Sequence, residues 1–312
     1  MSPEHALLVI AQRFTGPQGE DVRVALDVLR AAANVKVSTV SDVGEIERAL
    51  ARRGRRRPVV IGGDGVLHKV VQVLHRQREL ADALLGLVPI GDEGRLAHAL
   101  NIPLDPAHAA RVVLAGRARR LDLIVDDAGG VAVTAVRVGL AAEAERPAAV
   151  RASRLRRASR SFVTAAAEAW APGWRLRVEA DGEVLTDLDR RVLMIGLCNT
   201  SGVEGIVRLD PGPLPDDGLA DVVVSETGGT LTRLERSAAR LGAHGRGRPA
   251  RTVRTVRARR VTLCGQDFRY DADGVLCGPV RRRTWTVEHS AWRMTTPKDP
   301  TDSPDPDDKN VQ

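Results

Sequence analysis

Aromatic residues, cysteine and lysine are all scarce in this chain, and each shortage excludes something. One Tyr, three Phe and four Trp among 312 residues leave few rings on which the bases of a single strand could stack, so nucleic-acid binding is not expected. Cys198, Cys264 and Cys277 are odd in number, widely separated and without the paired spacing of a zinc site. That argues against a disulfide framework and for a reduced, cytoplasmic setting. No apolar run approaches the roughly 20 residues of a membrane helix, and Met1–His5 has no basic leader. The expectation is a chain without a transmembrane segment, cytoplasmic and at most peripheral at the inner face of a membrane. Only Lys36, Lys69, Lys298 and Lys309 interrupt the arginines among 47 basic residues. The net charge of +7 is thus as consistent with an Arg- and Ala-rich composition as with a polyanion-binding surface, and of the polyanions an anionic membrane fits better than nucleic acid.

What is present is enough for two ordinary domains: 43% hydrophobic and 28% charged residues. The first third alternates strand and helix signals. Strands are expected at Ala6–Ile10, Val35–Val40, Val59–Ile61 and Gly86–Pro89, and helices near Glu20–Ala33, Val43–Arg53 and after Gly65. This βαβα rhythm predicts a parallel sheet covered by helices on both faces. From Leu121 the pattern becomes short strands separated by turn residues: 121–125, 131–138, 175–179, 192–198, 220–224, 252–256, 260–263 and 284–288. A mostly antiparallel β domain follows, interrupted by helices near Ala148–Trp170 and Thr230–Leu241. The first of these carries five arginines (151, 154, 156, 157, 160) opposite an apolar stripe, either a solvated side or a membrane-facing one. The expected organisation is an α/β domain over 1–121, a β-rich domain over 122–297 whose closing segment lies near the first, and a disordered acidic tail over 298–312.

The stretch Pro58-Val59-Val60-Ile61-Gly62-Gly63-Asp64-Gly65 reads as a buried strand delivering a glycine turn to a helix start. Glycines permit close backbone approach, and the helix start offers unpaired N–H groups and a positive dipole end to an anion. The same residues also serve as a ligand-free strand-to-helix connection.

In this setting the Gly62–Gly65 turn resembles the catalytic domain of the diacylglycerol kinase, sphingosine kinase and bacterial lipid kinase family. The resemblance runs over nearly the whole chain. Gln12-Arg13-Phe14-Thr15-Gly16 stands where the family has Asn-Pro-x-Ser-Gly, and Pro89 to Ala97 where it has Pro-Leu-Gly-Thr-x-Asn-Asp-Phe-Ala. Asn199, Gly202, Gly205 and the run Leu209 to Val222 follow in order, as do Asp273-Gly274-Val275, Gly278, Ala291, Arg293 and Pro297. The resemblance implies a two-domain fold like that of NAD kinases and diacylglycerol kinases. It also implies transfer of the ATP γ-phosphoryl group to the hydroxyl of diacylglycerol or a related lipid alcohol, with Mg2+ bridging the phosphates. Its partner would be a lipid substrate at a membrane surface, and a homo-oligomer is compatible with it. By position it assigns Asp273 as general base and Asp64 as the acid of the glycine loop. Thr15, Gly16, Thr39, Gly62, Gly63, Asp64, Gly65, Lys69, Gly91 and Arg95 would bind nucleotide, and Asp216 and Asp217 would lie near the metal. Plain turns are the other reading of Asp273-Gly274 and of Pro215-Asp216-Asp217-Gly218.

Several positions depart from the family pattern. Val66 replaces a threonine, which removes a hydrogen bond of about 1 kcal/mol. Lys69 replaces a glutamate, and Asp92, Gly94 and Arg95 replace Thr, Asn and Asp. Val275 replaces the glutamate of the Asp-Gly-Glu motif. Asp92 and Glu93 read equally as a helix cap and first-turn acid. A carboxylate about 5 Å from one phosphate charge costs about 3 kcal/mol at an effective dielectric near 20, so nucleotide binding is expected to be weakened there. Two alternatives therefore stand beside the lipid kinase: a weakly active or inactive relative that binds lipid, nucleotide or protein, and an NAD kinase-like enzyme.

Overall fold

The computed structural model describes residues 6–91, 94–139, 173–200, 212–226 and 253–298. They divide into two compact units: residues 6–123 with 288–298, and residues 124–287. The closing residues 288–298, grouped with the second domain from sequence, group with the first unit instead, because their strand joins its parallel sheet.

In the first unit β1 (Ala6–Gln12), α1 (Pro17–Ala32), β2 (Asn34–Val40), α2 (Val43–Ala51), β3 (Arg57–Gly62), α3 (Asp64–Arg76) and β4 (Leu84–Pro89) alternate, followed by α4 (Arg95–Ala99) and α5 (Pro106–Ala115). The parallel order is β4-β3-β1-β2, with Val9 opposite both Val37 and Val59, and Val59 opposite Gly86. The end of the long strand β14 (Val275–Thr296) adds in parallel beside β4, Arg293 opposite Leu84. Val59, Val60 and Ile61 are each 0% exposed, the continuous burial of a strand covered on both faces. α1 packs with α5 and α2 with α3. α1 begins at Pro17 rather than near Glu20, because proline suits a first helical position. Asp42 caps α2 by accepting the Glu45 amide at 2.8 Å. Among the described residues no helix is long and apolar enough to cross a membrane.

The second unit is antiparallel. The chain enters it in β5 (Arg117–Asp126) and continues through β6 (Val131–Ala132), β7 (Ala135–Gly139), β8 (Leu176–Ala180), β9 (Glu183–Thr186), β10 (Val192–Cys198), β11 (Ala220–Glu226), β12 (Val253–Ala258) and β13 (Arg260–Ala272). The order is β12-β11-β10-β7-β13-β14, and the β8–β9 hairpin is attached to β13 through β8. Val136, Ile195, Val224, Phe268, Tyr270 and Trp285 meet in its core, with the Tyr270 and Trp285 rings edge to face at 5.2 Å. The single strand expected over 131–138 is broken at Val133–Thr134, and the last two strands are far longer than 260–263 and 284–288. The expected helices near 148–170 and 230–241, residues Asp92 and Glu93, and the tail from 299 lie outside the described residues.

Candidate functional site

Every parallel strand of the first unit ends on the same side, and the chain there opens a cavity of about 550 Å³. It is lined from β1 and α1 by Gln12, Arg13, Phe14 and Gln18, from β2 and α2 by Val40, Ser41, Asp42 and Ile46, from α3 by Gly63, Gly65, Val66 and Lys69, and beyond β4 by Ile90 and Gly91. Its volume lies in the range of small-molecule sites, about 300–1,000 Å³. The carboxyl ends of parallel strands are where open α/β sheets bind ligands.

Both glycine corners reach this cavity, and a carboxylate joins them. Gly63 is the N-cap of α3 and offers no side chain to cap it. The Gly65 amide has no acceptor among the described residues, and nothing lies within 4 Å of where a Cβ at Gly65 would stand. Gly91 sits at φ 112°, a conformation that side chains resist. Asp64, 4% exposed, accepts the Arg95 amide at 3.0 Å and its Nε at 3.5 Å. The first residue of α3 thereby caps the start of α4. Arg95 is buried in that pair and does not line the cavity. The cap position of α4 is Gly94.

The cavity's cations are Lys69 and Arg13, neither with a carboxylate partner among the described residues, and Asp42 is its acid. Val66 contributes apolar surface where a hydroxyl was expected. Thr15 and Gly16 are exposed next to the lining residues without belonging to the lining, Gly16 at φ 65° as the N-cap of α1. Thr39 faces a different, smaller cavity. Arg13, Gln18, Ser41 and Asp42 were not selected from sequence as site residues. The Ser-Asp step before an apolar periodic run was a readable helix-start signal for the last two; Arg13 stood inside the Gln12–Gly16 motif without being selected, and nothing local marked Gln18.

Asp273 belongs to the second unit. With Gly274 it forms the two-residue turn joining β13 to β14, φ 51° and 89°, Ala272 opposite Val275, the geometry of a primed hairpin turn. Its carboxylate is 2% exposed. One oxygen accepts the Val133 amide at 2.6 Å; the other accepts the amides of Thr134 at 2.9 Å and Ala135 at 3.1 Å and the Thr134 hydroxyl. From the other direction Asn199 donates its side-chain amide to the Val133 carbonyl at 2.9 Å and its backbone amide to the Thr134 carbonyl at 2.9 Å. Two side-chain groups thus satisfy the backbone where β6 and β7 leave the ladder, which is why the expected strand breaks there.

The Asp216–Asp217 pair lies in the turn before β11. Asp217 accepts the Leu219 amide at 3.0 Å with one oxygen and the Arg257 guanidinium with the other. Both Asp217 oxygens thus have partners in this turn, and among the described residues no three His, Cys, Asp or Glu side chains gather to hold a metal ion. Burial pushes the Cys198 thiol up to about 12, so it is not a nucleophile at neutral pH. The Tyr270 hydroxyl, raised by burial and by Asp126, donates to that carboxylate at 2.8 Å.

Residues 6–125 match the diacylglycerol kinase catalytic domain, and residues 134–294 match the YegS C-terminal NAD kinase beta sandwich-like domain. A probable lipid kinase YegS-like of Xanthomonas campestris is 34% identical over 134 residues, 41% of this chain and 43% of that protein. One of Pseudomonas fluorescens is 30% identical over 252 residues, 75% of this chain and 78% of its own length. In the first of these, then, the matched region spans less than half of the relative. Two crystal structures of a putative diacylglycerol kinase from Bacillus anthracis have the same fold, with TM-scores of 0.72 and 0.70 at 16% and 15% identity, covering 94% and 95% of this chain and 95% and 98% of theirs.

Proposed function

The chain belongs to the bacterial lipid kinase family that joins a diacylglycerol kinase catalytic domain to a NAD kinase beta sandwich-like domain, and on that premise we propose that it phosphorylates a lipid hydroxyl with ATP. The observation that carries the proposal is the cavity at the strand ends, where the open Gly65 amide, the α3 N-terminus, Lys69 and Arg13 converge. Amide donors, a helix dipole and two cations with no carboxylate partner among the described residues suit an anion, and the polyphosphate of ATP is the anion the family uses. Mg2+ bound with the nucleotide would offset the negative charge that these amides and cations face. Gly63, Gly65 and Gly91 allow backbone approach, while Asp64 holds the two corners in register. Gly62, which precedes them, ends β3 and passes the chain into this turn.

In the transfer the lipid hydroxyl oxygen bonds to the γ-phosphorus, the bond to the β-γ bridging oxygen breaks, and ADP leaves with that electron pair. The hydroxyl proton goes to a carboxylate, and Asp273 is the residue the family resemblance assigns. Diacylglycerol or a related lipid alcohol is the proposed acceptor. A second reading, a nucleotide-binding relative without catalysis, is favoured by one observation: both Asp273 oxygens already accept hydrogen bonds at 2% exposure, whereas a general base needs a lone pair facing the hydroxyl.

Purified protein with Mg·ATP and diacylglycerol in neutral detergent micelles tests this. The expected result is labelled phospholipid, abolished in Asp273→Asn while ATP still raises the melting temperature. An ATP-dependent rise without product supports the second reading. Neither product nor rise overturns both, and phosphorylation of NAD in a parallel arm would move the chain to the NAD kinase chemistry.

A further inference from the structure

The sheet of the first unit ends at β2, which pairs only with β1 among the described residues. Beside this free edge, α2 leaves a second cavity of about 270 Å³. Lys36, Arg48 and Arg52 line it together with one carboxylate, Glu45, the polar Ser38 and Thr39, and the apolar Leu8, Val37 and Ala49. Arg55 follows in the exposed turn between α2 and β3.

The groove's carboxylate and the acids near it have hydrogen-bond or ion-pair partners of their own. Glu45 accepts the Ser41 amide and hydroxyl at 2.7 and 2.9 Å, Asp42 caps α2, Glu47 pairs with Arg76 at 2.7 Å and Glu79 pairs with Arg53. Lys36, Arg48, Arg52 and Arg55 are exposed, and none has an ion-paired carboxylate among the described residues. Only a through-space attraction links Arg48 to Glu45. Four cations on one edge outnumber the groove's single carboxylate, Glu45, and present a net positive field that an extended anionic surface matches. No aromatic side chain lines the groove, so stacking recognition of bases is absent from it. The long apolar stems of Lys and Arg suit a surface whose charges lie above hydrocarbon.

We infer that the α2–β2 groove is a docking face for the anionic headgroups of a phospholipid bilayer. It rests on the lipid kinase reading only in that such an enzyme must reach lipid at a bilayer. The groove and the nucleotide cavity have no lining residue in common.

The test is the full chain against its Lys36→Gln/Arg48→Gln/Arg52→Gln variant, sedimented with vesicles of phosphatidylcholine alone or with an equal part of phosphatidylglycerol. Wild type is expected to bind only the anionic vesicles, and less in high salt. The variant should bind them about fivefold more weakly per charge removed, on the order of 100-fold in all, with an unchanged ATP-dependent rise in melting temperature. Equal vesicle binding by both proteins, or no binding by wild type, overturns the inference. So does a loss confined to an oligonucleotide probe, or a loss of self-association with vesicle binding intact. If the vesicle difference persists but ATP stabilises neither protein, the docking face stands and the kinase reading falls. If ATP stabilises both and the vesicle difference is missing, the reverse holds.

Discussion

Asp64 in the first unit and Asp273 in the second are both buried carboxylates that gather backbone amides, yet they end in different surroundings. Asp64 starts a helix beside a cavity and fastens one neighbouring helix start, leaving the Gly65 amide and the Lys69 ammonium facing the open space. Asp273 closes a hairpin and takes three amides and a hydroxyl from one short segment. The contrast teaches that a carboxylate at a motif position serves the fold wherever unpaired amides surround it. In the first unit the Gly65 amide, Lys69 and Arg13 stand at the cavity, whereas Asp64 is spent on a neighbouring helix start.

The sharpest way to break that comparison is Asp273→Ala. It leaves three amides and a hydroxyl without their acceptor in a buried site, and a loss of about 3–5 kcal/mol in urea denaturation is expected; a loss below about 1 kcal/mol would remove the clamp. Asp64→Asn keeps one carbonyl oxygen for the Arg95 amide but discharges the ion pair. Its cost should be smaller, about 1–3 kcal/mol, measured the same way. Lys69→Met should leave stability within about 0.5 kcal/mol while weakening ATP binding about tenfold, a loss of 1.4 kcal/mol, by titration calorimetry. Unchanged affinity would place the nucleotide elsewhere. Gly65→Ala sharpens the point further, since the added methyl group meets nothing within 4 Å. The helix should gain about 0.5–1 kcal/mol while the ATP-induced rise in melting temperature shrinks, because the methyl group occupies space the phosphates need.

The smallest effect concerns pH. Hydrogen bonds from the Ser41 amide and hydroxyl hold the Glu45 carboxyl below the ordinary glutamate range. A folded pKa below the unfolded one stabilises the fold above the unfolded value and loses that contribution as pH falls through the folded one. The protection of the Ser41 amide, its exchange rate measured against the intrinsic rate at each pH, is therefore expected to fall as the solution is acidified through the lowered Glu45 value, and Glu45→Gln should flatten that dependence.

The strands β1 to β4 and the helices α1 to α3 were legible because apolar β-branched runs and helical spacing alternate without ambiguity around glycine turns. The helix α5 was not anticipated, although Asp105 before Pro106 is a readable start. The length of β13 and β14 was hidden by runs such as Arg281-Arg282-Arg283, whose charge masks strand character on a largely exposed stretch. For the candidate site, Gly63, Gly65, Lys69 and Gly91 line one cavity, whereas Thr39 faces another, Arg95 turns to Asp64, and Asp217 turns to Arg257.

By itself the sequence determined the α/β followed by antiparallel β organisation and the location of the glycine corners, since these rest on periodicity and turn chemistry that act within a few residues, and the order of its motifs carried the family resemblance. Only the tertiary structure decided which charges remain available. Whether Asp64, Arg95, Asp217 or Asp273 faces a ligand or a neighbour depends on partners 31 to 140 residues away in the chain, and a local pattern carries no record of contacts made across such distances.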